Sequence, residues 1–212
     1  PKPSSAASDV YKRQFQYRGE VLRADDRDGG RAYLFKDKQW SLEFSGSGRL
    51  PLTSSKNRAR EGMDNLPLVI DGGPQLVYSV NHTWEFQLAP FASAAIDGTF
   101  VRNNGGYFKA QAVYRWSDTW EGPFASPITL DGTLQFTVNA ASQEYNRTYF
   151  EVDAQHATAA RPAYNAVAGF LSNNISYFQR FSSGRISFYV AGSLTDYSCL
   201  LYTSPSPRDL ST

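Results

Sequence analysis

Leu76-Val77-Tyr78-Ser79-Val80-Asn81-His82-Thr83-Trp84-Glu85-Phe86-Gln87-Leu88-Ala89 holds two alternating runs separated by three polar residues. In the first run Leu76, Tyr78 and Val80 alternate with Gln75, Val77 and Ser79. In the second, Trp84, Phe86 and Leu88 alternate with Glu85, Gln87 and Ala89. A period of two is the signature of a strand with one apolar face. The link at 81–83 is short enough for a hairpin, so the two runs read as antiparallel neighbours.

The same pattern recurs along the chain. Phe108, Ala110, Ala112, Tyr114 and Trp116 oppose Lys109, Gln111, Val113 and Arg115, and Leu134, Phe136 and Val138 oppose Thr133, Gln135, Thr137 and Asn139. Ile175, Tyr177 and Phe181 lead into Ser182-Ser183-Gly184, after which Ile186, Phe188 and Val190 alternate again, which predicts a second tight hairpin. The early part, 15–24, 31–35 and Trp40, Leu42 and Phe44, reads as strands of less regular register around the polar break Asp25-Asp26-Arg27-Asp28-Gly29-Gly30. No segment carries an apolar stripe of helical length and spacing, so the expectation is all-β.

Link lengths alternate as well. Short links at 36–39, 81–83 and 182–184, with a medium one at 117–123, interleave with longer polar ones at 51–66, 98–105 and 141–167. Up-and-down strands return alternately to opposite ends, and membrane barrels have short turns at one end and long loops at the other. All four tryptophans, Trp40, Trp84, Trp116 and Trp120, fall at the short-link end. An indole is largely apolar but needs a partner for its N–H, so it favours a membrane–water boundary. A soluble β-sandwich shares the alternation and would place the tryptophans in a core. Strand length favours the barrel, because several runs can supply the roughly 9–11 residues of a tilted crossing.

Composition narrows the function classes. Lys and Arg number 21 against 20 Asp and Glu, which gives no field to attract nucleic acid. Aromatics make up 15% of the chain, mostly Tyr and Phe, which suits short strands. No stretch approaches the ~18 apolar residues of a membrane-spanning helix, a limit that leaves strand barrels untouched. Residues 1–14 and 199–212 share neither the alternation nor the turn spacing of 15–198. They resemble translated sequencing-adapter read-through and are expected to be non-native ends around a β-barrel fragment. The single cysteine, Cys199, lies in the second of them.

Candidate chemistry is sparse. His82 sits in a tight turn and His156 in a long loop, too few imidazoles for a metal cluster. Ser142, Asp153 and His156 could be drawn as a hydrolase triad, but no G-x-S-x-G elbow supports it. Asn103-Asn104-Gly105-Gly106 lacks the following Lys-Ser/Thr of a phosphate loop and reads as a turn. Lys56, Arg58, Arg60 and Glu61 form the most basic run, expected as a solvated external loop, with lipopolysaccharide phosphates as the sharper alternative. The N-x-S/T matches at Asn81, Asn146 and Asn174 would carry no weight were the chain bacterial. The inward set Glu85, Gln87, Lys109, Gln111, Arg115, Gln135 and Thr137 would either line a solute path or pair across the lumen and plug it. Small barrels favour the plug. No catalytic, cofactor or metal residue is assigned, and the residues that bind partners are unknown.

The stretch 146–197, NRTYFEVDAQHATAARPAYNAVAGFLSNNISYFQRFSSGRISFYVAGSLTDY, resembles the C-terminal half of the MltA-interacting protein (MipA/OmpV) family. There a TYFGV-like strand, matched by Thr148-Tyr149-Phe150-Glu151-Val152, runs into a loop with a P-A-Y segment, matched by Arg161-Pro162-Ala163-Tyr164. Gly73-Pro74-Gln75-Leu76-Val77-Tyr78, within 65–80, is similar to the family's G-P-x-L-x-Y strand, and Tyr17-Arg18-Gly19-Glu20 and Asp28-Gly29-Gly30-Arg31 to its early segments. The likeness is collinear over 15–197. It implies an incomplete antiparallel up-and-down transmembrane β-barrel, with signal peptide and first strand before Phe15 and a closing strand after Tyr197. It also implies the Gram-negative outer membrane, contact with lipid and lipopolysaccharide, and a non-enzymatic scaffold or adaptor role between a lytic transglycosylase and a peptidoglycan synthase. A small-solute channel or ligand-binding barrel stands as the alternative and an outer-membrane hydrolase as the third reading.

Overall fold

The computed structural model describes residues 17–18, 22–25, 29–56, 60–121, 127–159, 161–184 and 186–197, with side chains from 32 onward. Both end segments, 1–14 and 199–212, therefore lie outside the described residues, as do Gly19, Glu20, Asp28 and Arg58. Ten strands follow one another: β1 (Tyr17–Arg18), β2 (Leu22–Asp25), β3 (Gly29–Lys36), β4 (Trp40–Arg49), β5 (Leu68–Ser79), β6 (Trp84–Asp97), β7 (Phe100–Trp120), β8 (Ile128–Ala141), β9 (Gly169–Ser183) and β10 (Ile186–Asp196). They form a single sheet in sequence order, each antiparallel to the next. This is the up-and-down meander, and among the described residues β1 and β10 have one neighbour each, so the sheet is open.

The alternation of the sequence becomes two faces of opposite character. On β4 the inward residues are Ser41, Glu43, Ser45, Ser47 and Arg49, while Trp40, Leu42 and Phe44 face out. On β5 Asp71 and Gln75 are buried while Ile70 and Leu76 are exposed, and on β6 Gln87 and Ser93 are buried while Phe86 and Leu88 are exposed. Gln75 retains 1% of its accessible surface; Leu88, outside, retains 47%. A water-soluble fold buries its apolar side chains and leaves polar ones outside. Here the rule is inverted along several strands, as in a sheet whose outer face meets hydrocarbon and whose polar residues line an interior. Among the described residues there is one layer and no second sheet packs on the apolar face, which removes the sandwich.

The short-link end matches its sequence reading. β3 and β4 are joined by 37–39, β5 and β6 by 80–83, and β9 and β10 by 184–185. The β7–β8 link falls later than the expected 117–123, because β7 runs on to Trp120 and β8 begins at Ile128. Trp40 and Trp84 open their strands, and Trp116 and Trp120 close theirs at the same end. Their rings join neighbouring tyrosines into a belt: Trp40 lies 4.3 Å from Tyr78, Trp84 4.8 Å from Tyr114, Tyr114 5.5 Å from Trp116, and Trp116 6.0 Å from Tyr177. The Trp116 indole lies flat over Gly132, where a β-carbon would strike its ring, so the glycine is the seat that lets the indole lie against the wall.

Three expectations at the other end are corrected. The long link expected at 98–105 is a two-residue turn, Gly98-Thr99, with Gly98 at φ 59°, and the strands continue past it as an extended hairpin. Asn103-Asn104-Gly105-Gly106 is accordingly no turn but an irregular step inside β7, opposite the register shift between Ala92 and Ala94. Gly105 takes φ 70° there, and its N–H donates to the Asn103 side chain at 2.8 Å. The loop 142–168 also contains a helix, α1 (Gln143–Phe150). Thr148, Tyr149 and Phe150, read as the start of a strand, are its last turn, and Val152 makes only an isolated bridge to Tyr164. An eight-residue helix is too short to show a periodic stripe and is stabilised mainly by what it packs against.

Candidate functional site

The lumen and its mouth concentrate the polar chemistry. All the residues expected to face inward do so: Glu85 and Gln87 on β6, Lys109, Gln111 and Arg115 on β7, Gln135 and Thr137 on β8. Several are knit across strands. Arg115 grips Glu85 through both terminal nitrogens at 3.1 and 3.2 Å, Gln87 donates to Glu85 at 2.7 Å, Gln75 donates to Gln87 at 3.2 Å, and Lys109 donates to Gln75 at 3.2 Å. Desolvated polar groups are costly unless they find each other, and this network pairs such groups across β5, β6 and β7.

Helix α1 packs on β7 at the mouth. Ser142 caps it: its hydroxyl accepts from the Tyr145 N–H at 3.3 Å and from the Gly106 N–H on β7 at 3.2 Å. A β-carbon on Gly105 would collide with that hydroxyl, so the glycine permits the helix to dock on the strand. Tyr145 packs with Ala141 and Leu171, flanked by Tyr107, Tyr149 and Phe150. Burial pushes the Tyr145 hydroxyl pKa above its ordinary value, Arg49 pulling the other way. The Asn146 amide donates to the Val167 carbonyl at 2.7 Å and the Gln143 amide to that of Ala166 at 3.1 Å, which ties the loop's return to the helix.

Arg49, at the end of β4, reaches across to this helix. One terminal nitrogen donates to the Tyr149 hydroxyl at 2.8 Å and the other pairs with Asp71 at 3.2 Å. Its guanidinium carbon lies 5.8 Å from the Tyr107 ring centre and 5.3 Å from those of Tyr145 and Tyr149. Cation–π contact and hydrogen bonding therefore hold one side chain against four partners. β4 and β7 are three strand spacings apart, roughly 14 Å in a flat sheet; contact between Arg49 and Tyr107 fits a wall that curls on itself.

The basic run is partly structural. Arg60 donates to the Tyr149 carbonyl at 2.9 Å and to that of Asp64 at 3.3 Å, so it pins the 50–67 loop to α1. Burial, then the nearby Arg161, lower its pKa from the usual value. Arg161 in turn donates to the Glu61 carbonyl at 3.2 Å and to that of His156 at 2.8 Å, so the two long loops clasp each other. Arg58 and the Lys56 side chain lie outside the described residues. Of the sketched triad, Ser142 is engaged as the helix cap, while Asp153 and His156 bracket a single 3-10 turn and meet through a backbone hydrogen bond of 2.9 Å. His82 is exposed in its turn. Among the described residues no group of three or more His, Cys, Asp or Glu is placed to hold a metal ion.

Arg49, Asp71 and Tyr145 were not singled out by the sequence. Arg49 was recoverable in principle, since 41–49 alternates with a wholly polar inner row, Ser41, Glu43, Ser45, Ser47 and Arg49. The helix contacts were not, because they depend on how the long loop folds back.

No curated protein and no solved structure matches the chain. A profile of the family described as MltA-interacting protein MipA matches residues 5–206, beginning inside the 1–14 segment and ending inside 199–212. With a match spanning nearly the whole length, the chain belongs to the MltA-interacting protein MipA family.

Proposed function

We propose that the protein is an outer-membrane β-barrel, with its barrel in residues 15–198, that serves as a non-enzymatic scaffold in peptidoglycan remodelling. The observation that carries the membrane part is the inverted polarity of the sheet, with Gln75, Asp71 and Gln87 inside and Phe86, Leu88 and Ile70 outside. Family membership supports the adaptor part, because the family is described by its interaction with MltA, a lytic transglycosylase. In this reading the short-link end, ringed by tryptophans, faces the periplasm and offers its turns to murein enzymes, the transglycosylase and a peptidoglycan synthase among them. The long-loop end faces outward, toward lipopolysaccharide.

A plugged interior suits an adaptor. The Glu85–Arg115 pair and the Lys109–Gln75–Gln87 chain lie in the lumen, and α1 packs at its mouth. Lipopolysaccharide contact rests on Lys56 and Arg58, since Arg60 is committed to loop carbonyls.

The test is binding of purified MltA to the full chain in lipid nanodiscs. Saturable binding that weakens when residues of the 80–83 turn are replaced supports the proposal. Absence of binding, or binding that depends on the long loops instead, contradicts it.

A further inference from the structure

Beneath α1 lies a cavity of about 550 Å³, within the roughly 300–1,000 Å³ of small-molecule sites. Its two sides differ in chemistry. Tyr145, Tyr149 and Phe150 of α1 bring aromatic rings, extended at the rim by Tyr197, whose ring lies 5.9 Å from Phe150. Thr137 and Asn139 of β8 and Ser172 and Asn174 of β9 bring hydroxyl and amide groups along the opposing wall.

Charge does not select the occupant. Arg49 and Lys109 are the charged residues among the described lining, and Arg49 is held by Asp71 and Tyr149. Lys109 in turn donates to Gln75 at 3.2 Å, so both cations are engaged by the barrel's own side chains and neither is held ready for an anion. The Asn139 amide already donates to the Ser172 hydroxyl at 3.1 Å, so a wholly apolar guest would leave Thr137 and the remaining hydrogen-bonding capacity of that pair facing hydrocarbon, at about 1–3 kcal/mol for a group left unpaired. The guest that fits both walls has a face of C–H bonds to lie on rings and an edge of hydroxyls to meet amides and hydroxyls.

We propose that this cavity is a binding site for a neutral carbohydrate of about disaccharide size. The site goes beyond the adaptor reading and does not need it, because the groups it uses lie at the long-loop end and none on the short-link turns.

Isothermal titration of the full chain in detergent micelles with maltose, cellobiose and lactose tests it, with maltobionate as a charged control. Saturable heat is expected for at least one neutral sugar in the millimolar range. Thr137→Val and Asn139→Leu, which keep volume but remove polar atoms, should each weaken it about five- to tenfold, as loss of one hydrogen bond implies. Should Asn139→Leu fail to fold, Tyr197→Ala at the exposed rim takes its place, with a similar loss expected. No heat above dilution for any of the three sugars overturns the proposal. So does binding that the variants leave unchanged, or tighter binding of maltobionate than of maltose. MltA binding is unaffected in either outcome, so failure here and failure of the adaptor role are read separately.

Discussion

The two ends of the barrel are built on different physics. At the short-link end, the β3–β4, β5–β6 and β9–β10 turns of two to four residues hold the strands in register, and tryptophans lie on the outer wall against neighbouring tyrosines. Contacts there are short-range: a ring touches its own strand, the adjacent one or, for Trp116 on Tyr177 across Gly132, the next but one. At the long-loop end the contacts cross the sheet, with Arg49 of β4 on Tyr149 of α1, a hundred residues away, and Arg161 on Glu61 at the same separation. One end is specified by near neighbours, the other by a few long-range hydrogen bonds between loops. The wall should therefore fail as a unit, and the mouth should come open piecemeal.

The largest effect is expected in the wall. Gly73 lies where a β-carbon would run into the Pro90 backbone carbonyl of the adjacent strand. Backbone cannot swing aside as a side chain can, so Gly73→Val should cost more than about 3 kcal/mol and abolish the folded band in heat-modifiable gel migration. Near-normal folding of that variant would mean the β5–β6 contact is looser than described.

Gly132→Val should be milder. It displaces the Trp116 indole from its seat, and the ring can rotate outward into lipid, so a loss of about 1–3 kcal/mol fits an overpacked site. Tryptophan emission should change with stability. An unchanged spectrum would break the link between the belt and the wall.

In the mouth, Asp71→Asn removes the carboxylate that faces Arg49 while keeping its shape. Because Arg49 stays partly solvated, its pairing is discounted from the fully buried case, and about 1–2 kcal/mol is expected. Tyr149→Phe deletes the other Arg49 contact and should cost about 1 kcal/mol. Both should raise amide exchange across Gln143–Phe150 while leaving that of β5 to β8 unchanged. Exchange rising equally in wall and mouth would abolish the distinction between the two ends.

Ser142→Ala should have the smallest effect, about 1 kcal/mol for a lost helix cap, confined to α1 and its seat on Gly106. Planar-bilayer conductance sharpens the same comparison. The intact chain should conduct no more than the bare bilayer, and Arg49→Ala should raise the current by loosening the helix.

What the sequence disclosed follows this division. The strands, their faces, the 81–83 hairpin and the end to which the tryptophans belong were legible, because a period of two and a short link are local signals. The inward row on β6, β7 and β8 was legible for the same reason. The 98–105 segment misled because Asn-Asn-Gly-Gly has turn composition, whereas the chain spends those glycines on a step within β7 and on room for Ser142. Helix α1 could not be read from Gln143–Phe150 alone. Its cap is Ser142, an ordinary residue in that position, but its stability comes from Tyr107, Leu171 and Arg49, which no window around it contains. The resemblance of Thr148–Val152 to a TYFGV-like strand pointed to a strand, and packing decided otherwise.

The central claim is that Phe86 and Phe136 meet lipid while Gln87 and Gln135 meet the lumen. Cys199→Ser followed by spin labels at Phe86→Cys, Gln87→Cys, Gln135→Cys and Phe136→Cys, in lipid bilayers, measures it directly through collision with oxygen and with a water-soluble nickel chelate. The expected result is alternation, with high oxygen and low nickel access at 86 and 136 and low oxygen access at 87 and 135. Equal access at all four positions, or oxygen access highest at 87 and 135, would contradict it.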